Sequence, residues 1–131
     1  MNGEDIANLL VRKLLDMGFI VHRYNSYSTS SIYLKLDYGV CNGIRIADHK
    51  GKKKYCYRFN VMKDYRGDKV IIKDGLICRF YDFNDIEHLL EDISKEKETK
   101  ISRYGLQNYQ KYIEKEKLTN ELFKRFKQVG G

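Results

Sequence analysis

Residues 31–62 contain three segments in which apolar and polar residues alternate: Ser-Ile-Tyr-Leu-Lys-Leu-Asp-Tyr (31–38), Ile-Arg-Ile-Ala-Asp-His (44–49) and Tyr-Cys-Tyr-Arg-Phe-Asn-Val (55–61). Successive side chains of a β-strand point to opposite faces, so this alternation predicts an antiparallel β-meander. One face is expected to form a core from Ile32, Leu34, Leu36, Ile44, Ile46, Tyr57, Phe59 and Val61. The other face is expected to present Tyr33, Lys35, Arg45 and Arg58.

The chain has the size and composition of one ordinary domain, with 131 residues of which 42% are hydrophobic. Its cysteines, Cys41, Cys56 and Cys78, are an odd number at wide spacing, and no signal-peptide pattern is visible. We therefore expect reduced thiols in a cytoplasm. No apolar run approaches the ~20 residues that span a bilayer, so no membrane association is expected.

An amphipathic helix is predicted from Glu4 to Met17, because apolar residues recur there at three- and four-residue spacings. Gly18 is placed to end it. Residues 19–24 then have the pattern of a strand that precedes the meander.

A hairpin and a second helix are predicted after the meander. Asp74-Gly75 is a strong hairpin signal between strands expected at 69–73 and 76–81. The helix is expected to begin near Asn84, which has capping-box spacing to Glu87.

The basic excess of the chain, +7 overall, is concentrated near its end. Residues 94–131 contain 10 Lys/Arg and 5 Asp/Glu, whereas residues 1–93 contain 15 and 13. The charged run at 95–100 predicts a solvated helix end or a linker between a core domain (1–93) and a basic helical extension (94–131). Two further helices are expected, one carrying Leu106, Tyr109 and Ile113, the other capped at Thr119 and carrying Leu122, Phe123, Phe126 and Val129. The sheet or a second copy of the chain must cover these apolar residues, so a homodimer through the C-terminal helices is one expectation.

The predicted fold class is α+β, with a single mostly antiparallel sheet of five to six strands. An N-terminal helix, a packed helix and a basic helical C-terminal tail complete the predicted architecture.

A basic surface with an aromatic ring is the main candidate binding site. It comprises Tyr33, Lys35, Arg45 and Arg58 on the outward sheet face, with Lys50, Lys52, Lys53 and Lys54 in the adjoining turn. Lysine and arginine neutralise phosphates and exposed rings stack on unpaired bases, so the set fits a nucleic acid or a nucleic-acid-like partner. A solvated sheet face with a lysine-rich turn that prevents edge pairing explains the same residues.

Two metal sites are weaker alternatives. Asp37 followed by Asp48-His49-Lys50 has the spacing of restriction-type nucleases, although strand alternation places the two carboxylates on different faces. A structural zinc site is conceivable among Cys41, His49, Cys56, Cys78, His22 and His88, but no Cys-x-x-Cys pair is present. We assign no catalytic residue, metal ligand or cofactor.

Tyrosine is unusually frequent, with eleven residues against six phenylalanines. Tyr104, Tyr109 and Tyr112 in the C-terminal extension fit an interaction surface, since tyrosine combines a large ring with a polar tip. Tyrosines that point into the sheet would fit core packing equally well.

Residues 28–60 resemble a group of small proteins carried by phages and mobile elements of Gram-positive bacteria. The resemblance lies in Ser-Thr-Ser-Ser-Ile-Tyr-Leu-Lys-Leu-Asp-Tyr-Gly, Ile-Arg-Ile-Ala-Asp-His-Lys-Gly-Lys-Lys and Tyr-Arg-Phe-Asn. It implies a protein that acts against host defences or regulates the DNA of its own element. Within this segment, Asp48 and His49 are the residues most worth testing.

We therefore expect a non-enzymatic, phage-type accessory protein that binds and inhibits a nucleic-acid-handling target of host defence. The most concrete version is an anti-CRISPR protein that acts on a CRISPR effector nuclease, with a host defence protein or nucleoprotein as the partner. The first alternative is a regulator that binds DNA or RNA directly, and the second is a small metal-dependent nuclease.

Overall fold

The computed structural model describes residues 2–26, 31–49, 52–60, 70–73, 76–122 and 127–130, with side chains for 2–26, 31–47, 79–119 and 127–130. The elements are α1 (Gly3–Asp16), β1 (Val21–Asn25), β2 (Ser31–Leu36), β3 (Gly43–His49), β4 (Lys52–Asn60), β5 (Val70–Lys73), β6 (Leu76–Asp82), α2 (Ile86–Tyr104), α3 (Leu106–Leu122) and β7 (Lys127–Val129). Residues 37–42 form the β2–β3 turn.

One antiparallel sheet organises the chain, in the order β5-β6-β4-β3-β2-β1-β7. The predicted α+β class is confirmed. The sheet exceeds the predicted five to six strands by the short strand β7, which pairs with β1. The helix predicted from Thr119 to Val129 is wrong, because Thr119 lies inside α3 and Val129 pairs with Val21 in the sheet.

The core lies on one face of the sheet, beneath α1 and α2. The predicted core positions of β2 and β3 are confirmed, since Ile32, Leu34, Leu36, Ile44 and Ile46 are all buried. Each such side chain contributes about 1.5–3 kcal/mol relative to full exposure. The side chains of Tyr57 and Phe59, and all of Val61, lie outside the described residues.

Helix α1 begins and ends close to the predicted positions. Asn2 caps it, because its side chain accepts a hydrogen bond from the Asp5 amide at 2.9 Å while the Asp5 carboxylate accepts one from the Asn2 amide at 3.3 Å. Gly18 follows with φ of +88°, the left-handed conformation that ends helices.

Helix α2 begins after a 3₁₀ turn at Phe83–Asp85, and its N-cap Asp85 makes no side-chain capping bond. The predicted capping box of Asn84 and Glu87 is therefore wrong: the tighter turn moves the start of the helix to Ile86. Within the described residues, no helix is both long and apolar enough to cross a membrane.

The charged run at 95–100 is not a linker or a solvated end, because it lies inside α2 and one side of it packs on the β2–β3 turn. Lys100 is only 5% exposed. Its Nζ donates to the carbonyl of Val40 at 2.6 Å. The turn supplies hydrogen-bond and ion-pair acceptors for the lysines on one side of the helix. A count of charged residues in the sequence does not show that these acceptors lie nearby. The boundary expected after residue 93 consequently falls within a continuous helix.

Candidate interaction surface

The sheet face opposite α1 and α2, here called the outer face, presents two rows of residues defined by strand register. The tyrosine row comprises Tyr24, Tyr33, Arg45, Cys56 and Phe80. The lysine row comprises His22, Lys35, Gly43, Arg58 and Cys78. Neither row contains an acidic residue, whereas the next register row on this face runs from Ser31 through Ala47 and Lys54 to Asp82. The tyrosine and lysine rows therefore combine aromatic rings with basic residues.

Tyr24, Tyr33 and Arg45 lie side by side on three adjacent strands. The two ring centroids are 6.2 Å apart, and the Arg45 Cζ lies 5.9 Å from the Tyr33 ring centroid. The Arg45 Nε also donates to the Ser31 Oγ at 3.1 Å. A guanidinium above an aromatic ring is attracted to its electron-rich face, so this arrangement restrains both side chains. All three are half-buried, which leaves part of each accessible to a ligand.

The lysine row contains a buried histidine. His22 is 5% exposed, its ring lies 4.7 Å from that of Tyr38, and its Nδ1 has no hydrogen-bond partner among the described residues. Burial lowers the pKa of His22, and the charge of Lys35 lowers it further. In the same row, β3 contributes Gly43, where a Cβ would lie 2.8 Å from the Leu34 carbonyl oxygen. A side chain at that position would therefore force the backbone to move.

The register places four of the predicted binding residues, Tyr33, Lys35, Arg45 and Arg58, on one face. Tyr33 lies opposite Arg45, and Lys35 lies opposite Gly43, whose partner on β4 is Arg58.

The predicted lysine turn is partly strand, because Lys52, Lys53 and Lys54 begin β4 opposite His49, Asp48 and Ala47. Their side chains, and all of Lys50, lie outside the described residues. Sequence reasoning did not assign Tyr24 and His22 to this face, although the alternation of residues 21–24 contained the signal for both.

A second polar cluster is buried around Asp37, which is 1% exposed. Its carboxylate accepts hydrogen bonds from the Ile20 amide at 2.9 Å and the Tyr109 hydroxyl at 2.5 Å, and the Lys97 Nζ lies 3.0 Å away. Burial, Cys41 and the bond to Asp37 raise the pKa of Tyr109. Tyr109 is thus a core residue rather than part of an interaction surface, at 2% exposure.

This cluster joins the β2–β3 turn to α2 and α3. Burial also lowers the pKa of Lys100, while Cys41 and Glu96 oppose that change.

The turn has positive φ at Asp37, Tyr38 and Asn42, of 51°, 58° and 67°. Such backbone conformations are costly outside glycine, so the surrounding contacts must hold them.

The fold separates the two carboxylates of the nuclease pattern. Asp37 follows the end of β2, whereas Asp48 lies one residue beyond the pairing of Ser31 with Ala47, at the other end of the hairpin. Six residues of strand separate these ends by roughly 20 Å at about 3.3 Å per residue. Because Mg²⁺ ligands lie about 2.0–2.1 Å from the ion, this pair cannot share one.

The zinc hypothesis gains no support from the described side chains. Cys41 is buried, and within the part of the chain with described side chains no three His, Cys, Asp or Glu residues are grouped to hold a metal ion. The side chains of His49, Cys56 and Cys78 lie outside that part.

The outer face is therefore the surface with the clearest chemistry, since it offers flat rings and cations to the same ligand. Such a surface suits anionic partners that carry planar groups or complementary acidic patches. Comparison of the chain with protein-family models, curated proteins and solved structures finds no match.

Proposed function

We propose that this chain is a non-enzymatic binding protein whose outer face attaches to a nucleic-acid-handling target of bacterial defence and inhibits it. The observation that carries the proposal is the contiguous set of Tyr24, Tyr33 and Arg45 on a sheet face that α1 and α2 leave uncovered. A CRISPR effector nuclease in the bacterial cytoplasm is the most concrete target. The resemblance of residues 28–60 to proteins of phages and mobile elements supports that choice.

The physical basis is electrostatic capture followed by aromatic contact. A net charge of +7 attracts a polyanionic complex, and the attraction is effective within a Debye length of about 8 Å at physiological salt. Tyrosine and arginine are enriched among the residues that contribute most to interfaces. Occupation of the target by this face would block loading or movement of its nucleic acid.

A tagged pull-down from a bacterial host lysate, with and without nuclease treatment and with identification by mass spectrometry, tests the proposal. The expected result is a defined protein partner that survives nuclease digestion and is lost in the Arg45→Glu variant. The matched control is Arg103→Glu, which reverses an exposed charge on α2 and should retain the partner. Loss of every protein partner on digestion, or equal capture by both variants, would contradict the proposal.

A further inference from the structure

The outer face brings two rings, Tyr24 and Tyr33, close to two cations, Lys35 and Arg45. Along each strand the tyrosine row and the lysine row are two residues apart, which corresponds to about 7 Å in extended backbone. On β2 this spacing sets the Tyr33 ring beside the Lys35 cation, and Arg45 on β3 lies next to Tyr33 in the same row. On β1 and β3 the lysine row holds the buried His22 and Gly43. A ligand that fits both rows must combine flat apolar groups with anions at a comparable spacing.

Unpaired nucleotides have this combination, since each joins a planar base to a phosphate. In a duplex the faces of the bases are stacked on one another, so they are not available for stacking on tyrosine rings. An acidic peptide supplies carboxylates, but it offers planar groups only where it contains aromatic residues, whereas every nucleotide carries both a planar base and a phosphate. The absence of acidic residues from both rows removes a source of repulsion against phosphates.

We infer that the outer face also binds single-stranded nucleic acid, with bases stacked on Tyr24 and Tyr33 and phosphates held by Lys35 and Arg45. This inference goes beyond the proposed function, because it gives the same face a second ligand besides the protein partner. Arg45 has two roles, because its guanidinium already lies over the Tyr33 ring while carrying a charge for phosphate. On β4, Arg58 occupies the register position that continues the lysine row.

The test is fluorescence anisotropy of the full chain with a labelled oligothymidylate of about 15 nucleotides, near the upper site size of single-strand-binding modules. A duplex of the same length is the competitor. We expect tighter binding to the single strand than to the duplex, with affinity that falls as salt rises. Tyr33→Ala should weaken binding roughly 5- to 150-fold, the effect of losing one stacked base, whereas Tyr33→Phe should retain it.

Two further variants keep this test decisive. Tyr33→Ile preserves a good strand-forming side chain without a ring, so it separates loss of stacking from loss of the fold. Tyr112→Ala removes an exposed tyrosine of α3 and should leave affinity unchanged. Equal affinity for single strand and duplex, or unchanged affinity in Tyr33→Ile, would overturn the inference.

The inference and the proposed function fail in different ways. A nuclease-resistant protein partner captured by a chain with no affinity for oligothymidylate would overturn the inference and retain the proposed function. Oligothymidylate binding that depends on Tyr33, together with loss of all lysate partners on digestion, would support the inference and contradict a protein-bound target.

Discussion

The buried carboxylate of Asp37 connects three distant parts of the chain. It accepts a hydrogen bond from the Ile20 amide before β1, pairs with Lys97 of α2 and accepts a hydrogen bond from the Tyr109 hydroxyl of α3. Burying a carboxylate is costly unless it is paired and hydrogen-bonded, and these three contacts meet that requirement. The same contacts make Asp37 unsuitable as an open metal ligand.

Removing the Tyr109 hydroxyl should destabilise the protein. In Tyr109→Phe the ring volume is kept, but Asp37 loses a buried donor, so the free energy of unfolding should fall by about 1–3 kcal/mol. Urea denaturation followed by circular dichroism measures the change. The exposed Tyr112 provides the control, since Tyr112→Phe should alter stability by no more than about 0.5 kcal/mol. Equal stability of the two variants would show that the hydrogen bond to Asp37 makes no net contribution to the free energy of unfolding.

Titration of His22 should make stability depend on pH. Its folded pKa lies below the ordinary value of 6.5, first through burial and then through Lys35. Between the folded and unfolded pKa values the unfolded chain binds more protons, so the free energy of unfolding should fall as pH decreases through that range. The His22→Phe variant should lose part of this decrease in denaturation curves measured from pH 7.5 to pH 5. A slope identical to that of the unmodified chain would contradict the assignment.

At the scale of elements, helix α1 is specified by local signals at both ends. The capping box of Asn2 and Asp5 satisfies backbone groups at its start, and Gly18 supplies the conformation that follows its end. Its buried side, which includes Leu10 and Leu14, then covers the sheet. Few long-range contacts are needed to define its bounds.

Loss of the Asn2 cap should lower stability measurably. Asn2→Ala removes the acceptor for the Asp5 amide, and such changes cost about 1 kcal/mol. Thermal unfolding compares this variant with Asn2→Ser, which retains a capping oxygen and should unfold close to the unmodified chain. Equal losses in both variants would indicate that the capping bond is not the source of stability.

For the whole molecule, α2 is the element that joins the sheet to the C-terminal region. Its first half buries Leu89, Leu90 and Ile93 in the core, and its second half binds the β2–β3 turn. The chain then returns through α3 and adds β7 to the edge of the sheet beside β1. These contacts span the expected division between residues 1–93 and 94–131.

A fragment of residues 1–93 should therefore not reproduce the stability of the full chain. It lacks Lys97 and Tyr109, which satisfy Asp37, and it leaves the edge of β1 without its β7 partner. Circular dichroism during thermal unfolding should show a lower midpoint or no cooperative transition. A cooperative transition at the midpoint of the full chain would establish residues 1–93 as an independent domain.

The sequence determined the features that depend on near neighbours. Alternation in residues 31–36 and 43–47 assigned each side chain to a face, because strand geometry repeats every two residues wherever the strand lies. Apolar spacing and Gly18 likewise placed α1. Tyr33, Lys35 and Arg45 were assigned to the outward face on the same local rule.

Only the tertiary structure decided which strands are neighbours and what each turn residue meets. Strand order placed Tyr24 beside Tyr33 and put β7 at the edge, while the hairpin put Asp37 and Asp48 at opposite ends. The partnership of Asp37 with Tyr109 joins residues 72 positions apart. Such pairings are set by packing and by hydrogen bonds between residues far apart in the chain. A local sequence pattern does not indicate which distant residues will meet.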